Sequence, residues 1–341
     1  MHFTKSILLA AGMALACWAG QARAADPINL PSLGTPAASA SESAAESSRE
    51  HLAQDAKCTS CHDENEAKPV LSIFQTPHGV TGDPRTPTCQ SCHGESLAHI
   101  AGPKNGATLP PPPDVRFNNI TYPESSAAKR AAVCLSCHKG TQRTHWAGSP
   151  HQVNGLACSD CHVAHNPVDK VRNRLTQPQV CFTCHKDRRA DAQKISHHPI
   201  LEGKVVCSDC HNPHGSVGPH LMKKATVNQT CWTCHADKRG PFLWEHQPVT
   251  EACTNCHTPH GSNISPLLKS RPPFLCQECH DGPHASGSAF GPGIAGPQAG
   301  GTGFPATGTI SPNGNGGGRA CLNCHVMVHG SNNPAGAFLQ R

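Results

Sequence analysis

Ten copies of Cys-x-x-Cys-His constrain this chain more than any other feature. They begin at Cys58, Cys89, Cys134, Cys158, Cys181, Cys207, Cys231, Cys253, Cys276 and Cys321. Apart from Cys17, every one of the 21 cysteines lies in a motif. From Cys134 to Cys276 the starts recur every 22 to 26 residues, the signature of a stacked array. Units this small cannot bury a core alone, and the chain lacks the residues to build one. Only 36% of it is hydrophobic, cysteine included, with 4% aromatic residues, while Gly and Pro number 31 each. Something other than side chains must fill the interior.

The first residues carry an export signal. Lys5 precedes the apolar run Ser6 to Ala16, too short to span a bilayer, and Ala22-Arg23-Ala24 forms a small-x-small cleavage site. The expected mature chain begins at Ala25. Lipidation at Cys17 is the weaker alternative, because Ala14-Leu15-Ala16-Cys17 matches that signal poorly. The net charge of +5 comes without a Lys/Arg block or a row of aromatics, which argues against nucleic acid as a partner.

In an exported chain, Cys-x-x-Cys-His reads as covalent haem attachment. The two thiols add to the two vinyl groups, and the adjacent histidine becomes the proximal iron ligand. The second cysteines are Cys61, Cys92, Cys137, Cys161, Cys184, Cys210, Cys234, Cys256, Cys279 and Cys324. The proximal ligands are His62, His93, His138, His162, His185, His211, His235, His257, His280 and His325. Zinc ribbons join two Cys-x-x-Cys motifs per metal and need no histidine after each. A disulfide framework would suit the compartment but leaves those histidines unexplained. The expected cofactor is therefore haem c, ten copies covalently bound.

A haem with one protein ligand keeps an open sixth position, and further histidines are available to close it. Of 25 histidines, His2 lies in the signal and fourteen more lie outside the motifs. His165, His214 and His260 each stand three residues after a motif histidine, and His284 and His329 four residues after one. His151, His198 and His246 each precede a motif in similar settings, while His78 precedes the second motif and His99 follows it. These ten are the candidate distal ligands; His198 is preferred to His197 because Pro199 follows it. His51, His145, His197 and His220 remain as surface histidines. Met222 and Met327 read as packing residues, so bis-His ligation throughout implies low potentials and closed irons.

Two motif types alternate. Cys158–His165, Cys207–His214 and Cys253–His260 share C-[ST]-[DN]-C-H-x-[AP]-H and run into turns. The motifs at Cys134, Cys181, Cys231 and Cys276 follow segments with helix starts, such as Ser125-Ser126 before Ala127 and Asn228 before Gln229. The expected organisation is a signal at 1–24, a disordered Ala/Ser-rich segment at 25–50, and a haem domain at 51–341 with its regular array at about 134–285. Ala101–Tyr122, with Pro110–Pro113, reads as a stiff extended insertion, and Asp281–Gly318 as a long Gly-rich loop.

Three runs carry a more specific resemblance: CSDCHNPHGS at Cys207–Ser216, CWTCHADKRGPFLWEHQPVTEACTNCH at Cys231–His257, and Gly318–Arg341 with ACLNCH and VHGSNNP. In these the chain resembles the decahaem periplasmic cytochromes of outer-membrane porin–cytochrome conduits, the MtrA/DmsE family. The resemblance covers nearly the whole mature chain from the first motif onward. It implies an elongated multihaem cytochrome c, mostly loops and short α-helices around a file of haems, with little or no β-sheet. It also implies the distal set above, with His198-Pro199 matching a single His-Pro. The implied location is the periplasm, associated with the outer membrane through a β-barrel porin. The implied partners are that porin, periplasmic or inner-membrane c-type cytochromes, and outside the cell a multihaem cytochrome or reductase. The expected function is an electron conduit, not an enzyme. A soluble shuttle is the alternative; a multihaem reductase needs an open iron, often marked by Lys in place of the motif histidine, and all ten motifs keep His.

Overall fold

The structure, a computed structural model, describes residues 38–66, 69–81, 83–280, 321–323, 325–334, 336 and 338–339. The expected signal at 1–24, residues 25–37, Asp281–Gly318 with His284, and Cys324 lie outside the described residues. The chain divides into two units, Met1–Glu46 and Ser47–Arg341; every site below lies in the second.

The described residues contain no strand, only four isolated bridges, and the elements are short helical turns joined by loops. The first helix is the exception. It runs Ala38–Thr59 and corrects the expectation of disorder up to residue 50. Alanine, glutamate and glutamine are strong helix formers, and no Gly or Pro interrupts the run. No helix is long and apolar enough to cross a membrane among the described residues.

The alternation read from the motifs is present. Helices Ala127–Cys137, Gln177–Phe182, Val227–Cys231 and Phe274–Gln277 lead into one motif type. Ser126 caps the first of these by accepting from Lys129 N–H. Thr226, not Asn228, caps the third, accepting from Gln229 N–H. The other type begins with single turns at Cys158–Asp160, Cys207–Cys210 and Cys253–Asn255.

Asn228 is instead a clasp. It is 2% exposed, its amide donates to Val249 O (2.8 Å) and Thr250 O (3.1 Å), and its oxygen accepts from Cys253 N–H (2.7 Å). Asp55, likewise three residues before its motif, accepts from Cys89 N–H at 2.9 Å. Arg130, 4% exposed, reaches Ser159 Oγ and Asp160, and Gln177 accepts from Ser208 N–H. Each odd-numbered motif among the first seven is thus tied to the next by a polar side chain one helical turn upstream.

The apolar core is sparse: Val115, Ala131, Trp146, Ala157, Phe182, Ala192, Val206, Met222 and Leu268 are its buried members. The insertion Ala101–Tyr122 does not stand away from the domain. It returns over the second motif, with Val115 N–H donating to His93 O at 3.0 Å and Tyr122 Oη to Pro110 O at 2.5 Å.

Candidate haem centres

The motif spacing has a local cause. In each motif the His N–H donates to the carbonyl of the first cysteine four residues back, as from His138 to Cys134 (2.9 Å) and His162 to Cys158 (2.9 Å). One helical turn therefore sets both cysteines and the histidine, at i, i+3 and i+4, on one face.

Every described candidate distal histidine faces a motif histidine. An imidazole nitrogen sits about 2 Å from a bound first-row metal and about 1.1 Å from its ring centre, so two rings sharing one iron stand about 6 Å apart. His62–His99, His138–His78, His93–His165, His185–His151 and His162–His214 lie at 6.1, 5.9, 6.3, 6.1 and 6.1 Å between ring centres. His235–His198, His211–His260, His280–His246 and His257–His329 lie at 6.1, 6.0, 6.1 and 6.1 Å. His325 is described, but its expected partner His284 is outside the described residues.

The pairing is not local. His165, His214, His260 and His329 each follow one motif closely but face the histidine of the motif two places earlier. His151, His198 and His246 face the motif after the next one. These distal residues arrive in couples: His151 Nδ1 donates to Pro213 O (2.7 Å), His198 to Pro259 O (2.8 Å) and His246 to Val328 O (2.9 Å). Each acceptor immediately precedes His214, His260 or His329. The glycines after those histidines allow the approach. A Cβ on Gly215 (φ +107°) would lie 2.0 Å from His145 O, and one on Gly261 (φ +155°) 1.9 Å from Asp191 O.

Hydrogen bonds at Nδ1 fix the rings with Nε2 free for iron. His93 donates to Val115 O (3.0 Å), His211 to His220 O (2.9 Å), His257 to Pro266 O (2.9 Å) and His325 to Phe338 O (2.6 Å). His62 and His162 donate instead to carboxylates, Glu66 at 2.6 Å and Asp169 at 2.7 Å. His99 reaches Pro111 O at 2.7 Å, a contact made by the insertion. Burial is the main cause that lowers the proton affinity of His93, His211, His214, His260 and His329, which keeps these rings neutral, the form that binds metal.

The cysteines form a sequence of neighbours. First cysteines adjoin within pairs: Cys58 with Cys89, Cys134 with Cys158, Cys181 with Cys207, Cys231 with Cys253, and Cys276 with Cys321. Second cysteines lie within electrostatic reach between pairs: Cys92 with Cys137, Cys161 with Cys184, Cys210 with Cys234, and Cys256 with Cys279. A continuous cavity of about 6290 Å³ runs along all these residues and the paired histidines. Spread over ten motifs that is about 630 Å³ each, the size of an ordinary cofactor site. Thiols on the walls, neutral imidazoles facing across it and the ring spacing all fit haem c. His51, His145 and His197 do not line this cavity. His197 instead donates from Nδ1 to Lys194 O at 2.5 Å.

Sequence reasoning missed the clasp residues, the carbonyl and carboxylate acceptors, and the assignment of distal to proximal histidines. Only the clasps left a trace: a polar residue three or four positions before Cys58, Cys134, Cys181 and Cys231.

The pattern of the doubled CXXCH motif family matches residues 151–190, 197–240 and 246–285. The chain is 40% identical over 290 residues to the multiheme cytochrome MtrA of Shewanella baltica (strain OS185), covering 83% of this chain and 80% of that protein. With haem-binding motifs along its length and no strand among its described residues, the chain belongs to the MtrA family of multihaem c-type electron-transfer cytochromes.

Proposed function

We propose that the chain carries ten bis-His haems and passes electrons along them through an outer-membrane β-barrel porin. The observation that carries this reading is the alternating contact of cysteines. Each interior motif adjoins one neighbour through its first cysteine and lies within electrostatic reach of the other through its second, so the motifs follow one another from Cys58 to Cys321. The 38 residues Asp281–Gly318 separate the last two motifs in sequence but not in space, because Cys276 and Cys321 adjoin.

In this reading the nine facing histidines are distal ligands, and His284 is the tenth. The first site takes His99, which follows the neighbouring second motif. By the same rule the last site takes its ligand from beside the ninth, where His284 stands four residues after His280. The haem supplies a one-electron iron couple. The paired histidines would hold the iron, with several of their rings oriented by hydrogen bonds at Nδ1. This is electron transfer without substrate chemistry.

The relationship to MtrA supports the porin, the periplasmic location and exchange with other c-type cytochromes as parts of this reading. A bilayer with headgroups is about 40–45 Å thick, and charge crosses its apolar interior only at high cost. A protein-shielded row of haems inside a barrel removes that barrier. The test is reconstitution in liposomes with the cognate porin and a reductant sealed inside. The pair should reduce an external acceptor, and neither protein alone should do so. A cytochrome that transfers electrons in solution but never binds the porin would establish the soluble shuttle instead.

A further inference from the structure

We propose that Asp169 is a positioning and potential-setting residue of the fourth haem, making it the low-potential station inside the array. The inference rests on reading His162 and His214 as that haem's ligands. Where the second, sixth, eighth and tenth motifs hold the proximal Nδ1–H with a backbone carbonyl, the fourth uses a carboxylate, Asp169 Oδ2 at 2.7 Å from His162.

The loop explains the exchange. After the sixth and eighth motifs, the chain turns at Gly215 and Gly261, and returns through the bridges His211↔Met222 and His257↔Leu268. That return delivers the carbonyls of His220 and Pro266 to the proximal rings. The fourth motif has Asn166-Pro167 in place of the glycine turn, and the side chain of Asp169 arrives where a carbonyl would be. Asp169 is only 23% exposed, so water screens its charge weakly. Across the site, His214 Nδ1 is buried and unpartnered among the described residues, which leaves the carboxylate as the one strong acceptor acting on this pair of ligands.

A charged acceptor draws the Nδ1 proton, makes the imidazole a stronger donor and favours the ferric over the ferrous site. The step it disfavours is the uptake of one electron from ferric to ferrous, with no bond formed or broken. The fourth site is then among the last to fill on reduction, and it separates the three sites before it from the six after it. The first site shares the chemistry through Glu66, in a partly exposed i,i+4 contact at 2.6 Å.

The experiment is a potentiometric titration of the holoprotein and its D169N and D169A variants, followed in the visible haem bands and by electron paramagnetic resonance. Asparagine keeps the acceptor oxygen and removes the charge. We expect one component, a tenth of the total change, to move upward at least tenfold in its reduction equilibrium, which is 59 mV for one electron. D169A should move the same component at least as far, and E66Q a different one. All variants should stay low-spin with unchanged haem content. A wild-type protein with a high-spin fraction would instead defeat the ligand assignment itself. If ligation is intact and no single component moves in D169N, or all move together, Asp169 does not set this potential.

Discussion

Replacing Asn228 with alanine tests the clasp between the seventh and eighth motifs. The change strands one N–H, that of Cys253, and withdraws the donor from the carbonyls of Val249 and Thr250, at a position 2% exposed. A buried amide left without a partner costs about 1–3 kcal/mol, and the two carbonyls lose bonds worth about 0.5–1.5 kcal/mol each. Water entering the space returns part of this, so the expected loss is about 3 kcal/mol, a factor of roughly 150 in the unfolding equilibrium. The assay is guanidinium unfolding of the haem-loaded protein, read by loss of the low-spin Soret band. Exposed Gln229→Ala, one residue on, serves as the control. Asn228→Asp should lose at least as much as alanine, because it keeps the acceptor for Cys253 N–H but sets a buried carboxylate oxygen against the carbonyls of Val249 and Thr250. An alanine variant indistinguishable from the control would refute the view that buried polar clasps hold the motifs in pairs.

Mass spectrometry of the mature protein should show ten haem additions on a chain beginning at Ala25; fewer would mean silent motifs. His214→Ala should open the iron of the Cys158 motif, not that of its own Cys207 motif, and digestion after cyanide trapping should locate the change on the Cys158 peptide. Gly261→Ala drives a Cβ to 1.9 Å from Asp191 O at φ +155°, and should displace His260 and yield one high-spin haem in ten. Acidification should act in one direction. Burial leaves His93, His211, His214, His260 and His329 binding fewer protons folded than unfolded, so stability is full above the ordinary histidine value of 6.5 and falls below it. Iron holds these rings further, so an unfolding midpoint that rises as the pH is lowered from 8 to 5 would contradict that sign.

The sequence makes the local half of this structure legible. The cysteines and histidine of each motif occupy one helical turn, so the spacing read from the sequence and the local geometry agree. Distal candidates such as His214 and His260 are visible because they recur at a set distance after a motif. Their partners are not, because His214 faces His162 and His260 faces His211 through folding of whole loops. The same holds for Ala101–Tyr122: four prolines announce stiffness, but nothing in them announces that Pro111 and Val115 accept from His99 and His93. The helix at Ala38–Thr59 was hidden by composition, since Ala, Ser and Glu suit both a helix and a solvated coil. The contact of Cys276 with Cys321 spans a segment whose sequence suggests separation.

The two-motif stride of the histidine partnerships governs how such a protein can be made and how it can evolve. During export, the second motif emerges long before His165, and the eighth before His329. With the ligands proposed above, the second, fourth, sixth and eighth sites would wait for later chain before closing, so an intermediate in maturation should bind an added small ligand there. Shortening the gene from its 3′ end would leave the last even site that lost its donor reactive toward small ligands. Duplicating or deleting a single motif would shift the register of every partnership beyond it. Growth of the family by whole pairs is the change that preserves them.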